Sequence, residues 1–166
     1  QTRDPGYDAA PGSEKARLNV RGARMYPAYC AKFGVSYEKP GALVIAFNEE
    51  DRDTLEGLLK RAEQNGVSGC SIIEREEILA MEPSLNPEVL CALYVPDSGL
   101  VSPYELTCAV ADSAAENGVD FLLDCAVAGL SHQEGHWLVE TSRGTLEARA
   151  VINCAGTGGG DLHNMI

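Results

Sequence analysis

Apolar and polar positions along the chain fall into a few distinct periods. Ala42–Phe47 (ALVIAF) is an unbroken apolar run after Pro40-Gly41, with the length and composition of a buried strand. Asn48 follows as a helix cap. The next stretch, 49–64, places Leu55, Leu58, Leu59 and Ala62 at i, i+3, i+4 and i+7, the stripe of an amphipathic helix. Asn65-Gly66 ends it, Gly supplying the left-handed turn. Cys70–Ile73 predicts a short strand and Glu74–Met81 a short helix stopped by Pro83. Glu88–Val95 (EVLCALYV) predicts a strand that ends at Pro96.

Ser102-Pro103-Tyr104-Glu105 is the sharpest local signal. Ser102 caps, Pro103 takes the first helical position and Glu105 completes a capping box. Leu106, Ala109, Val110 and Ser113 then supply a stripe expected to be buried, and Asn117-Gly118 stops the helix. From Val119 the period switches to two, with turns at Gly135 and Arg143-Gly144, so 119–147 predicts an antiparallel meander. Ala148–Cys154 (ARAVINC) reads as another buried strand, delivering the chain into a Gly-rich tail. Residues 1–22 lack sustained periodicity and predict a loop with turns at Pro5-Gly6 and Pro11-Gly12. A helix is predicted over 23–33, with Met25, Ala28, Tyr29 and Lys32 along one side and Gly34 at its end. The fold class expected is α/β in the mixed α+β sense: a mixed sheet with helices, an antiparallel meander and one returning strand.

Composition narrows the function classes. The chain has 166 residues, 45% hydrophobic and 23% charged, and a formal net charge of −12. That acidity argues against nucleic acid and against an anionic membrane surface, both of which require basic clusters. No apolar run approaches the ~20 residues of a membrane span, and no signal peptide precedes the first element, so a cytoplasmic setting is expected. The six Cys lack metal-ligand spacing and sit mostly among apolar neighbours. They read as small hydrophobes, with a disulfide framework as the alternative. The chain starts at Gln1 and stops at Ile166, just after a predicted strand and a Gly-rich turn. It reads as a piece of a longer chain, whose remainder is its expected partner; an edge exposed by such a cut would drive artificial oligomers.

Two stretches could carry chemistry. The tail VINCAGTGGGD has the strand-to-Gly-turn form of a ligand cradle, but Asp161 stands where a dinucleotide fingerprint needs its third Gly. Lys15, Arg17, Arg21 and Arg24 form a basic cluster in an acidic chain. They suit a carboxylate or phosphate, or are simply solvated charges. His132, His136 and His163 lack any nucleophile context, and Trp137 reads as packing.

The succession EREEILAMEPSLNPEV, SGLVSPYEL and VINCAG resembles the central stretch of the D-amino-acid-oxidase-like flavoproteins. Within them it is most similar to the glycerol-3-phosphate dehydrogenase-like and L-2-hydroxyglutarate dehydrogenase-like branch. The resemblance implies a lead-in loop near the flavin over 1–22, a substrate-domain portion over 23–118 and an FAD-domain portion over 119–166. It implies FAD in the full-length protein, held without a fingerprint from this chain and not retained by the chain alone. Val127, Cys154, Ala155 and Gly156 are the implied cofactor-side residues, and Tyr7, Lys15, Arg17 and Arg21 the substrate-side candidates. No metal is implied, and no catalytic residue is assigned. The implied reaction is hydride transfer to flavin N5 from a small anionic hydroxy substrate such as glycerol 3-phosphate. Oxidation of L-2-hydroxyglutarate, a related 2-hydroxy acid or an amino acid is the alternative, as is a non-catalytic module retaining the fold. Asp4 stands where the family's loop carries His, a departure in Asp4-Pro5-Gly6-Tyr7.

Overall fold

The computed structural model describes residues 2–166; Gln1, where the predicted lead-in loop begins, lies outside them. The chain divides into two compact units, one reaching to Asn117 and one running from Gly118 to Ile166. Elements run β1 (Thr2–Arg3), α1 (Glu14–Phe33), β2 (Tyr37–Glu38), β3 (Ala42–Ala46), α2 (Glu49–Gln64), β4 (Ser71–Glu74), α3 (Arg75–Met81), β5 (Cys91–Val95), β6 (Gly99–Val101) and α4 (Pro103–Glu116) in the first unit. The second holds β7 (Val127–Gln133), β8 (His136–Thr141), β9 (Gly144–Ala148), a short 3-10 turn and α5 (Gly159–His163). The class is mixed α and β, as expected. Every strand pairing is antiparallel, in three sheets ordered β1-β6-β2, β3-β5-β4 and β7-β8-β9, so the mixed sheet is not formed.

The main core follows from strand alternation. β5 is the middle strand, flanked by β3 and β4. Its Cys91, Leu93 and Val95 turn to one face, where Leu55, Leu58 and Leu59 of α2 cover them. Ala92 turns to the other face, against Ile73, Val89 and Ile78 of α3. A strand covered on both faces reads as a continuous apolar run, which is why Cys91–Val95 lacks alternation. Arg75 Nε donates to Val89 O at 2.8 Å, tying α3 to the turn that precedes β5.

Three expectations change. The helix predicted over 23–33 begins nine residues earlier, at Glu14. Ser13 caps it, accepting from Ala16 N at 3.2 Å, and the buried stripe is the small set Ala16, Ala23 and Cys30. The predicted side of Met25, Ala28, Tyr29 and Lys32 faces solvent instead. On α4 no residue is fully buried: Leu106 and Ala109 pack beside Cys30 and Val101, while Val110 stays exposed. Finally, neither Val119–Leu123 nor 149–154 is a strand; the meander starts at Val127 and ends at Ala148. Both stretches lack a neighbouring strand among the described residues, and a strand exists only where its N–H and C=O groups are paired. Ile152 is 86% exposed, so the predicted buried strand is absent from this structure.

The turns behave as read. Asn48 accepts from Asp51 N at 2.9 Å and Ser102 from Glu105 N at 3.3 Å. Glu134 and Gly135 both take positive φ, the two-residue turn that matches hairpin twist. Gly99 faces the Tyr37 ring, where a Cβ would lie 2.6 Å from Tyr37 Oη; only glycine lets β2 and β6 close there.

Candidate functional site

The lead-in loop is fastened from three sides. Asp4 Oδ1 accepts from Gly6 N at 2.7 Å, an Asx-type turn. From the end of α2, Asn65 Nδ2 donates to Gly6 O and Ala9 O, each at 2.8 Å. Gly6 lies on α1 with φ of +98°, and a Cβ there would meet Val20 Cγ2 at 3.1 Å. Tyr7 packs on the core beside Leu93 and Val95. Burial pushes its phenol above the usual range, with Asp4, Asp8 and Cys70 adding to the rise. Burial also raises the Asp4 carboxyl, and the neighbouring Asp8 adds to this, against the opposing Gly6 N–H. Asp8 Oδ1 is buried without a hydrogen bond and stands 3.8 Å from Lys15 Nζ.

The basic cluster of the sequence divides here. Lys15 joins Asp8 and Tyr7 on one flank of α1. Arg17 pairs with Glu14 and, with Arg21 and Arg24, lines a concavity of about 470 Å³ on the opposite flank, where Asn65 forms another wall. A spacing of i, i+4 and i+7 puts the three arginines on one helix face, whereas Lys15 lies two residues from Arg17 and points away. The structure therefore groups Tyr7 with Lys15, and Arg17 with Arg21.

In the second unit, Val127 opens β7 next to a register shift between Val127 and Gly129. Cys154, Ala155 and Gly156 are exposed, and α5, just beyond them, meets β7. Asn153 was not foreseen and organises this turn: its Oδ1 accepts from Ala155 N at 3.1 Å and its Nδ2 donates to Gly159 O at 2.8 Å. The signal available in the sequence was an Asn just before a run of small residues. Gly156 takes φ of +56°, with nothing within 4 Å of a built Cβ. A small, open turn with unladdered backbone fits the close approach of a large flat cofactor. Among the described residues no cluster suits a metal, the six cysteines are free thiols, and no helix is long and apolar enough to cross a membrane. Trp137 packs edge-on to His132 across the β7–β8 ladder, with centroids 5.1 Å apart.

Comparison with known proteins places this arrangement. The profile of the family described as FAD dependent oxidoreductase matches residues 4–166. The chain belongs to that family. It is 34% identical over 161 residues to a glycerol 3-phosphate dehydrogenase of Caloramator mitchellensis, covering 97% of this chain and 34% of the relative. It is 30% identical to an L-2-hydroxyglutarate dehydrogenase of Escherichia coli O17:K52:H18, covering 91% of this chain and 35% of the relative. Among solved structures it is similar to the FAD-bound L-alpha-glycerophosphate oxidase of Mycoplasma pneumoniae. There the TM-score is 0.85 and identity 27%, covering 93% of this chain and 42% of that one. Glycine oxidase of Geobacillus kaustophilus shares the fold, with a TM-score of 0.87 at 22% identity over 99% of this chain and 46% of that one. The chain spans about a third of the length of these curated relatives.

Proposed function

We propose that the protein containing these residues is an FAD-dependent dehydrogenase that oxidises a small anionic hydroxy compound of the glycerol 3-phosphate kind. The observation that supports this most is the 34% identity to a glycerol 3-phosphate dehydrogenase, sustained over 97% of the chain. The first unit would belong to the substrate domain and the second to the FAD domain. FAD, when bound, supplies the hydride acceptor. This chain's own part is positional. Val127 and the Cys154–Gly156 turn would offer backbone and small side chains to the cofactor, with Asn153 holding the turn open. Tyr7 and Lys15 would face the substrate from the lead-in loop, which Asn65 holds in place. Arg17 and Arg21, on the other flank of α1, are the second pair available to an anion. Asp4 is acidic where the family resemblance expects His, so this loop would hold its proton on a carboxyl whose affinity is raised by burial. A cytoplasmic setting, with six free thiols, belongs to the same proposal.

The test is direct. Purified full-length protein should be yellow, and its flavin should bleach anaerobically on addition of glycerol 3-phosphate. Bleaching by L-2-hydroxyglutarate alone would move the substrate to the 2-hydroxy acid class, which the 30% identity to an L-2-hydroxyglutarate dehydrogenase supports. A colourless protein without FAD affinity would leave the non-catalytic module.

A further inference from the structure

The exposed face of α1 carries two features that the proposed reaction does not use. Leu18, Met25 and Tyr29 are 52%, 39% and 44% exposed, an apolar stripe on the solvent side of a 20-residue helix. Beside it, Met25, Tyr26 and Tyr29 of α1 and Leu106 and Val110 of α4 enclose a wholly apolar groove of about 210 Å³. Along the other edge of that stripe runs the row of Arg17, Arg21 and Arg24. Met25 lines both the groove and the arginine concavity, so the two features are continuous. Among the described residues neither Arg21 nor Arg24 has an ion-pair partner, in a chain of net charge −12. Like charges at this helical spacing repel, so the row is mildly unfavourable unless an anion lies across it.

We propose that this face docks an amphipathic helix of a separate partner protein, its apolar ridge in the α1–α4 groove and its carboxylates against Arg21 and Arg24. The recess decides for a helix over a bilayer. A planar lipid surface rests on exposed side chains, whereas a groove between two helices is filled by the ridge of a third. Charge decides against a second copy. Two α1 helices packed antiparallel across a two-fold axis would set one arginine row against the other. Charge also selects the partner's flank, because complementary rows steer association and fix register. The seven-residue span from Arg17 to Arg24 is about 10 Å of helix, so carboxylates at i, i+4 and i+7 of the partner match it.

The experiment uses the full-length flavoprotein and two labelled synthetic helices with the same leucine stripe, one flanked by Glu and one by Lys. Fluorescence anisotropy should show the Glu helix binding about tenfold more tightly, with affinity falling as salt rises. Arg24→Glu should weaken the Glu helix about fivefold, and Val110→Asp about tenfold. Both sites are exposed, and an unchanged flavin spectrum and turnover show that each variant is folded. Equal binding of the two helices, or unchanged binding by either variant, overturns the proposal. So does a dimer in sedimentation that Val110→Asp abolishes, or flotation with phosphatidylglycerol vesicles that Val110→Asp abolishes. None of these readouts depends on substrate identity, so failure here leaves the proposed reaction standing.

Discussion

Asp4 shows how one side chain in this loop can work against the fold. Its carboxylate takes the Gly6 N–H, a favourable bond, yet burial and the adjacent Asp8 raise its proton affinity above the ordinary value near 3.8. A group whose folded affinity is raised adds stability only while protonated in both states. That stability is complete below pH 3.8 and is lost as pH climbs through the raised folded value. Asp4→Asn keeps an acceptor for Gly6 N–H and removes the charge. Its melting temperature should therefore exceed that of the parent at neutral pH, with the gap closing in acid. Thermal melts across pH check this, and a constant gap at all pH values would place the effect elsewhere. Lys15 offsets part of the local negative charge through Asp8 but stands mostly in solvent, where such pairs contribute little.

At the scale of elements, capping residues were the most legible part of the chain. Asn48, Ser102, Gly34 and Gly66 act where the sequence placed them, because a cap depends on its own few neighbours. The start of α1 was misread because its buried stripe is Ala16, Ala23 and Cys30, too small to stand out against Met25 and Tyr29. β2 and β6 were also missed: they are two and three residues long, and their pairing depends on the fit of Tyr37 over Gly99. The loop clasp is an element-scale device as well. Asn65 serves both as the α2 cap and as a double donor to Gly6 O and Ala9 O. Asn65→Ala should cost about 1–2 kcal/mol, from two lost bonds of about 0.5–1.5 kcal/mol each, partly replaced by water. Amide exchange in residues 4–12 should accelerate while exchange in β5 changes only with global stability. Equal acceleration everywhere would show that Asn65 matters to the core and not to the loop.

On the scale of the whole molecule, the separation into two units explains why the last part of the chain was the hardest to read. Val151 and Ile152 carry strand-like composition, and Val119, Phe121 and Leu123 carry strand-like alternation, but neither stretch has a partner to pair with. Local pattern states what a segment would do beside a neighbour; it cannot supply the neighbour. The candidate site suffers the same limit. The sequence named Cys154, Ala155 and Gly156 from their small size, yet the side chain that shapes their turn is Asn153, which only the folded turn reveals. The exposed apolar positions make the matter testable. If Ile152 lies against another part of a flavin-holding sheet in the full-length protein, its environment must differ between the two forms. Ile152→Asp in the 166-residue chain should leave stability within about 0.5 kcal/mol, as for any exposed site. In full-length protein the same change should bury a charge against apolar neighbours, lowering both the melting temperature and the flavin content. Paired urea titrations of the two forms, with flavin absorbance read on the longer one, give the comparison. Equal, small effects in both would mean that Ile152 faces water throughout, and that the run from Ala148 to Gly156 is a surface loop of this protein.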